Sequence, residues 1–529
     1  MTSGRRIKEL AVESAVYGLP SILQRFVGIL TVPIFSRILS PADYGILGVM
    51  QSVLVFVTVL VVLGVDNSVA LYYYDAKDDE ERKQTVATWI FFYLGVSTLA
   101  AAGMFALSGQ LAGQFLGSVE AGDIVRLVAV IFWLTGIWSI AQRLLRIQRK
   151  KWWVVSLTIV NTVLTTGLSL LFVAGLRRGV RGMYYGQVCA AIPYFVLNLW
   201  VIREWLSPRH FSLPRLRQLL TVGLPVLPAS VAYWAMGPLN NLFLEHYRGL
   251  GDVGLYTIGS AVAAAVALLT QAFQQAWGPF AFSIQHEPTA RQTYARVLTY
   301  FALVTCAAAA TLAVFTPEIL RLLTPKSYAG AGTVVAYLAF ASIGHGVYYI
   351  ASIGVNLVKK TSHIGWTTLV AAGVTVGLNF LLVPRLGMMG AAIGTLVAHW
   401  LSAALLFVMS QQHYPIPYRW RELALIVTAS AGVIALGSVM ETAHAGNAAV
   451  WKLGGLMLFP VVILLSGVVT FAQLAAALRQ VAQFLGLGQG QTKGEEHHHV
   501  RHCRHPGSAS NGRSSHRASD DPQPPSSGT

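Results

Sequence analysis

The sequence predicts an all-α polytopic membrane protein with about fourteen transmembrane helices, from its composition, its long apolar runs and an internal duplication. Apolar residues make up 54% of the chain and charged residues 11%, less than half of the roughly 25% in soluble domains. Apolar runs of about 20 residues recur, each long enough to cross a bilayer. Lipid offers the backbone no hydrogen-bonding partners, so these continuous runs can only be helices.

The predicted spans follow one another with short connections. They lie near 15–37, 45–67, 85–107, 124–142, 152–175, 182–202, 217–240, 253–275, 295–316, 330–355, 364–384, 388–410, 422–440 and 449–473. The first span follows basic residues, as a signal peptide does, but its apolar run is too long and no small-residue cleavage site follows. We therefore expect it to be retained as a helix.

The second part of the chain repeats the first. Gly-Leu-Pro at 18–20 recurs at 223–225, Lys-Lys at 150–151 recurs at 359–360, and paired glycines at 182 and 186 recur at 390 and 394. The common offset, about 205 to 210 residues, indicates one duplication. Six spans fall in each copy, so the copies are predicted to be parallel repeats, as in secondary transporters.

The duplication sets the expected domain organisation. We expect a cytoplasmic N-terminus at 1–14, a first six-helix lobe at 15–202, and a basic inter-lobe linker at 203–216. A second six-helix lobe at 217–410, two additional helices at 411–475 and a mostly disordered cytoplasmic tail at 476–529 follow.

The net charge of +16 does not indicate nucleic acid, because the basic residues cluster in loops on one side of the spans. By the positive-inside rule that side is the cytoplasm, so an even span number places both termini there. One basic loop, which contains Arg177, Arg178 and Arg181, is predicted on the outer side and so does not follow this rule. The expected location is a membrane, with membrane lipids as partners.

Gln24 and Arg25 are the first candidate site residues, inside span one between Pro20 and Pro33. Ionisable groups within spans are costly and usually face a cavity, and a guanidinium suits phosphate. We therefore predict that Arg25 lines a central cavity and attracts an anionic head group. The alternatives are an arginine that extends to the interface or one paired with an acid.

Other candidates concern coupling or gating. Asp66, expected to end span two, is a candidate to pair with Arg25 or carry a proton, or is a solvated carboxylate. Glu245 and His246, beyond span seven, form either a gate ion pair or a solvated helix end. His345 and His399, in spans ten and twelve, either pack helices or couple protons.

Uncharged amides within or near the spans include Asn241 and Asn356, which are candidates to bind sugar hydroxyls. For most such asparagines, interhelical hydrogen bonds are the favoured interpretation. The spans hold no hydrolase triad, metal-ligand cluster or P-loop, so we predict neither an enzyme nor a metal or cofactor site. The histidines at 497–499 in the tail are interpreted as solvated.

Three segments carry a family resemblance. Residues 33–45 (PIFSRILSPADYG), 251–259 (GDVGLYTIG) and 272–280 (AFQQAWGPF) resemble the bacterial polysaccharide and O-antigen flippase family. That family is the polysaccharide transporter branch of the multidrug/oligosaccharidyl-lipid/polysaccharide exporter superfamily. The likeness extends over about 10–475.

The resemblance implies two six-helix lobes that flip undecaprenyl-pyrophosphate-linked oligosaccharide across the bacterial cytoplasmic membrane by alternating access. It implies a role in making O-antigen, capsule or exopolysaccharide, with Arg25 in the cavity and H⁺ or Na⁺ as coupling ion. A polysaccharide polymerase and a chain-length regulator are candidate partners. Relatives often carry Asp-Arg near the end of span seven, where this chain has Asn241 and Leu242.

Three other functions stay open at this stage. An ion-coupled multidrug or small-molecule exporter of the same fold would need carboxylates within its spans, and few are present. A glycosyltransferase or polymerase would need paired carboxylates or a large outer loop. A scaffold would need no transport at all.

Overall fold

A computed structural model describes residues 23–24, 26–360, 362–443 and 448–465 of the chain. Within these ranges every regular element is a helix, which confirms the predicted fold class. Arg25, the N-terminus, the end of predicted span fourteen and the histidine-containing tail lie outside the described residues.

In the described ranges, the first half of the molecule comprises eight α-helices. They are α1 (Phe26–Ile38), α2 (Pro41–Val62), α3 (Val65–Asp75), α4 (Asp79–Ala106), α5 (Ser108–Phe115), α6 (Gly122–Ile147), α7 (Lys151–Leu170) and α8 (Gly179–Ile202). Short 3-10 turns at Arg203–Trp205 and Pro208–His210 lead into the second half.

The described part of the second half comprises ten α-helices. They are α9 (Leu213–Gly223), α10 (Leu227–Met236), α11 (Leu239–Arg248), α12 (Leu250–Ser283), α13 (Ala290–Leu323), α14 (Gly332–Leu357), α15 (Ser362–Leu386), α16 (Met388–His413), α17 (Trp420–Ala443) and α18 (Ala448–Leu465).

Twelve stretches within the described ranges are long and apolar enough to cross a membrane, and they correspond in order to predicted spans two to thirteen. The shorter apolar helices Phe26–Ile38 and Lys452–Val461 fall within predicted spans one and fourteen. The predicted number of fourteen is therefore approximate.

The duplicated residues form equivalent structures in the two halves. Arg149 and Lys359 both adopt left-handed backbone conformations, with φ of 56° and 59°. The amides of Lys150 and Lys360, the next residues, donate to the carbonyls five positions earlier, which closes the same helix-ending turn. The paired glycines also allow close helix packing. A Cβ on Gly186 would lie 2.6 Å from the Ser169 backbone.

Two predicted spans are interrupted. Span two ends at Val62, because Leu63 and Gly64 take positive φ values of 49° and 69° and break the helix. Asp66 therefore lies in the first turn of the separate helix α3 rather than ending span two, which corrects the sequence interpretation. Span seven is divided into α9, α10 and α11, since its prolines cannot donate the backbone hydrogen bonds that a continuous helix needs.

The two halves meet where α2 and α12 begin. A Cβ on Gly45 would overlap the Leu250 backbone, and a Cβ on Gly254 would overlap the Pro41 backbone, so the contact is reciprocal. These glycines end two short Asp-containing segments, 40–45 (SPADYG) and 249–254 (GLGDVG), that correspond to each other in the duplication. Only residues without a side chain allow the two helices to approach this closely.

The turn between α1 and α2 strengthens this contact. The Ser40 side chain and the Asp43 carboxylate cap α2 reciprocally. The Tyr328 hydroxyl donates to the Leu39 carbonyl at 2.7 Å, and the Ser36 hydroxyl donates to the Leu323 carbonyl at 3.2 Å. The first hairpin is therefore fastened to the second half at this end, which we call the hairpin end.

Candidate functional site

A cavity of about 680 Å³ lies between the two halves and is called the central cavity here. The helices α2 and α8 line it from the first half, and α11, α12, α14 and α16 line it from the second. Its volume lies within the usual range for ligand sites, about 300–1,000 Å³. Ala263, Ala264 and Ala267 on α12 leave room along one wall.

The central cavity has a mostly apolar wall with several uncharged polar side chains in the part of the chain that the structure describes. None of these lining residues is Lys, Arg, Asp or Glu. Gln51, Gln187 and Gln271 line it from α2, α8 and α12, and within the described chain none of them makes a side-chain hydrogen bond. Their amides can both donate and accept, which suits hydroxyl-rich ligands.

Asn241 is a predicted cavity residue that does line the central cavity. Its Nδ2 donates to the Gly48 carbonyl at 3.1 Å and to the Ser52 hydroxyl at 3.0 Å, which joins α11 to α2. Its Oδ1 is buried without a partner among the described residues. Asn241 therefore makes an interhelical bond, as expected for most asparagines, and leaves one acceptor at the cavity wall.

His345 and His399 meet at the central cavity, with ring centroids 5.5 Å apart. The Nδ1 of His399 lies 2.9 Å from the Thr395 carbonyl, which can only accept, so Nδ1 carries the hydrogen. The rings of Tyr233 and Tyr349 contact His345 edge-on. The histidines therefore pack helices and also face the cavity, so both sequence interpretations stay open.

A buried amide network supports one wall of the central cavity. The Asn240 amide donates to the Tyr256 hydroxyl at 3.1 Å and to the Thr395 hydroxyl at 2.7 Å. The Asn379 amide donates to the Asn240 side-chain oxygen at 2.7 Å. These bonds join α11, α12, α15 and α16, which confirms the favoured interhelical role for both asparagines.

Gln24 and Asp66 lie outside the central cavity, in a second pocket. There Asp66 forms an ion pair with Arg143 of α6, which was not among the predicted partners. Gln24 thus lines a pocket, but not the predicted one. The predicted position of Arg25 cannot be compared, because that residue lies outside the described ranges.

The remaining candidates do not join the central cavity. Among the described residues, the Asn356 side chain bonds only to Ser352 of its own helix, at 3.5 Å, and does not line the central cavity. Glu245 and His246 lie on α11, and no ion pair joins them in the described structure. Burial raises the pKa of the Glu245 carboxyl, and the charge of His246 opposes this only in part. The gate ion pair is therefore absent in this conformation.

Sequence reasoning missed several residues that line the central cavity, chiefly Gln51, Gln187, Gln271 and Tyr184. The hydroxyl of Tyr184 is buried and has no partner among the described residues. The sequence feature that indicates the three glutamines is an uncharged amide side chain inside an apolar run. Such a side chain costs energy in lipid unless it faces a hydrogen-bonding partner or water.

The chain is similar to known proteins in both sequence and fold. Residues 34–333, more than half of the chain, match the polysaccharide biosynthesis protein family. The succinoglycan biosynthesis transport protein ExoT of Rhizobium meliloti (strain 1021) is 24% identical over 44% of this chain and 45% of its own length. The Lsg locus putative protein 1 of Haemophilus influenzae is 23% identical over 51% of this chain and 65% of its own. The matched part is thus less than two thirds of each relative.

Solved structures share the fold. The lipid II flippase MurJ in an inward closed conformation aligns with a TM-score of 0.68 at 12% identity, over 86% of this chain and 100% of that protein. An inward-facing multidrug resistance MATE family transporter aligns with a TM-score of 0.58 at 16% identity, over 78% and 96%. Identities this low establish the fold alone.

The match over more than half of the chain, with twelve apolar spans and this fold, confirms the resemblance inferred from the sequence: the chain is a multi-pass membrane protein with a transporter fold and belongs to the polysaccharide biosynthesis protein family.

Proposed function

We propose that this protein flips undecaprenyl-pyrophosphate-linked oligosaccharide across the bacterial cytoplasmic membrane for surface polysaccharide synthesis. The central cavity is the single observation that carries the proposal. Both halves line it with amides, hydroxyls and aromatic rings, and its described lining holds no charged side chain. Such a surface can hydrogen-bond an uncharged sugar without competing ion pairs.

The family match supports the same function. The chain belongs to a polysaccharide biosynthesis family, and one similar protein is described as a succinoglycan transport protein. The fold is shared with a protein described as a lipid II flippase. By analogy, the sugar would cross inside the central cavity while the lipid tail stays in the bilayer.

We propose alternating access as the mechanism, with the predicted lobes at 15–202 and 217–410 rocking against each other. In this mechanism the close Gly45–Leu250 and Gly254–Pro41 contacts would close the hairpin end. Parting these contacts and the Tyr328–Leu39 hydrogen bond would open the cavity there. The hairpin end would then be the periplasmic gate.

The proposed orientation of the protein in the membrane rests on the distribution of its basic loops. We propose that both termini are cytoplasmic, since four arginine- or lysine-rich loops lie on that side. The positive charge of the outer loop that does not follow this rule is partly neutralised, because Arg181 forms a 2.7 Å ion pair with Asp123. A polysaccharide polymerase and a chain-length regulator remain candidate partners.

Two roles remain proposals that rest on sequence. Arg25 would hold the pyrophosphate, so Arg25→Ala should abolish transport at normal protein levels. Wild-type transport by that variant would remove the assignment.

H⁺ or Na⁺ would couple transport, and the facing His345 and His399 favour H⁺ as the first ion to test.

An ion-coupled multidrug exporter of the same fold is the alternative. Its cationic substrates would need carboxylates at the cavity, and the described lining supplies none. The same absence disfavours a glycosyltransferase at this cavity. A scaffold would leave the cavity between the two halves without a use, and an activity measurement distinguishes the two.

Gene deletion separates these functions in cells. Flippase activity predicts that labelled lipid-linked oligosaccharide accumulates on the cytoplasmic leaflet, that surface glycan is lost, and that drug susceptibility is unchanged. Export of small molecules predicts the reverse pattern, with normal glycan and raised susceptibility. Restoring the gene should reverse whichever change is seen.

A further inference from the structure

The two halves present polar side chains to the central cavity at equivalent positions of the duplication. Gln51 on α2 stands six residues after Gly45, and Ser260 on α12 stands six residues after Gly254. Both line the central cavity. Neither side chain makes a hydrogen bond within the described structure, so both are available to a ligand.

A second equivalent pair follows the paired glycines. Gln187 on α8 comes directly after Gly186 and lines the central cavity. Thr395 on α16 comes directly after Gly394 and lines it as well. The Thr395 hydroxyl accepts from the Asn240 amide, whereas Gln187 makes no side-chain hydrogen bond in the part of the chain that the structure describes. At both pairs the first half therefore contributes a free amide and the second half a hydroxyl.

Three free amides from three different helices face the central cavity. Gln51 and Gln271 are exposed, and Gln187 is half-buried. A primary amide both donates and accepts, so each of them can bind a sugar hydroxyl or acetamido group. Because these amides make no hydrogen bond within the described chain, binding a sugar breaks no internal bond.

The described cavity lining supplies no positive charge to offset a carboxylate on a ligand. It contains no Lys or Arg. Its two imidazoles, His345 and His399, lie with ring centroids 5.5 Å apart, and imidazoles are ordinarily neutral at pH 8. Amide N–H groups can hydrogen-bond a carboxylate, but they do not neutralise it when a closing cavity removes its water. An acidic sugar is therefore bound here less favourably than a neutral sugar of the same size.

We propose that the central cavity selects a lipid-linked oligosaccharide whose sugars are uncharged and rejects one that carries a uronic acid. Gln51, Gln187 and Gln271 are the specificity-determining residues, because they supply neutral hydrogen bonds where a cation would admit an acidic sugar. The proposal rests on the proposed function for the lipid-linked class of substrate and adds the charge of its sugars. The diphosphate is common to neutral and acidic substrates, so it does not contribute to this selection.

The test uses two probes that differ in one group. Each is a short-chain polyprenyl diphosphate, and one carries glucosyl-glucose where the other carries glucuronosyl-glucose. Binding to the purified full-length protein in detergent at pH 8 is measured as a concentration-dependent rise in melting temperature. We expect the neutral probe to bind at least about tenfold more tightly than the acidic probe. The polyprenyl diphosphate without sugar gives the reference affinity and should bind more weakly than the neutral probe.

Two charge variants test the assignment of the glutamines. Gln187→Arg and Gln51→Arg each place a cation in the cavity, so each should shift the preference toward the acidic probe by at least about tenfold. Two variants are used because Gln51 is the more exposed of the two positions and accommodates a longer side chain more easily. Gln114→Arg, the same change at an exposed glutamine outside the central cavity, should keep the wild-type preference.

A neutral variant separates recognition from folding. Gln51→Leu should weaken binding of the neutral probe about three- to tenfold, because one hydrogen bond to the sugar is lost. Its melting temperature without ligand should equal that of the wild type, since the Gln51 amide has no partner in the described structure. A merely structural role would instead lower that melting temperature and leave the affinity unchanged.

Equal affinity for the two probes, or tighter binding of the acidic probe by the wild type, would overturn the proposal. An unchanged preference in both arginine variants would overturn the assignment of the glutamines. If neither sugar improves on the bare polyprenyl diphosphate, the proposed function loses its sugar site as well, and the two failures are thereby distinguished. Binding is measured without transport, so a failed flipping assay leaves an observed preference intact.

Discussion

Asn241 shows at the scale of a single residue how this chain departs from the pattern its family resemblance implies. Relatives often carry Asp-Arg where this chain has Asn241 and Leu242. An asparagine suits this environment, because its Nδ2 donates to Gly48 and Ser52 and no cation lies in the described cavity lining. Neutrality at this position therefore matches the uncharged cavity around it.

Replacing Asn241 with Asp should destabilise the protein. The carboxylate cannot donate to the Gly48 carbonyl or keep the same bond to Ser52, and it gains no cationic partner in the described cavity. We expect a loss of about 1–3 kcal/mol in the free energy of unfolding, measured by denaturant or thermal unfolding in detergent. Asn356→Asp, at a half-buried residue bonded only within its own helix, is the control and should cost less. Equal costs at the two sites would contradict the assignment.

Glu245 gives a pH-dependent prediction. Burial raises its pKa in the folded protein, so the folded state binds a proton more tightly than the unfolded state. Stability from this group is then present at low pH and is lost as pH rises from the ordinary carboxyl pKa through the raised value. Glu245→Gln should raise the melting temperature relative to wild type at pH 7, and the difference should shrink toward pH 4.

The measurement compares melting curves between pH 4 and pH 8. Glu287→Gln, at an exposed carboxylate, controls for the loss of one negative charge. A Glu245→Gln effect that grows as pH falls would contradict the sign, since it would require a lowered pKa in the folded protein.

The α2–α12 crossing is the key contact at the scale of elements. Its two glycines are equivalent in the duplication, so each half contributes the same feature to one reciprocal interface. A Cβ at either position would overlap backbone atoms, which cannot move aside as a flexible side chain can.

Alanine at Gly45 or Gly254 should therefore weaken closure of the hairpin end. Each variant should lower the melting temperature and raise labelling of a cysteine placed at Ser260, in the central cavity, by an impermeant thiol reagent. Gly251→Ala, at a glycine with open space around it on the same helix, should be neutral or slightly stabilising, by up to about 1 kcal/mol. Unchanged labelling in Gly45→Ala and Gly254→Ala would show that this crossing is not a gate.

The sequence predicts the helices but not all of the positions at which they are interrupted. Apolar length alone identifies a span, since a bilayer demands about 20 such residues. The breaks at Leu63–Gly64 and around Pro225–Pro238 depend on backbone conformation and packing, and the number of apolar residues in a run does not indicate either. The prolines at 225 and 238 were visible signals for the second break.

The site was less predictable than the fold. His345 and His399 were identified as membrane histidines, but their meeting 54 positions apart depends on how α14 packs on α16. The Asp66–Arg143 pair joins residues whose spans are not consecutive, so nothing local in the sequence indicates it. Polar residues in apolar runs can be named from sequence, whereas their partners are set by tertiary packing.

At the scale of the whole molecule, the central cavity lies between the two halves, and its described lining holds no charged side chain. The proposed function uses this cavity for the hydroxyl-rich sugar head and requires the halves to alternate around it.

The most direct test of this account is transport by the purified protein in lipid vesicles. A fluorescent polyprenyl-diphosphate oligosaccharide is placed in both leaflets, and the fraction accessible to an impermeant quencher is followed over time. The account predicts that all of the probe becomes accessible with wild type and that Gln271→Trp, which fills the central cavity, slows this at least about tenfold. Exchange no faster than in protein-free vesicles, under imposed H⁺ and Na⁺ gradients, would contradict the claim that this protein is a flippase.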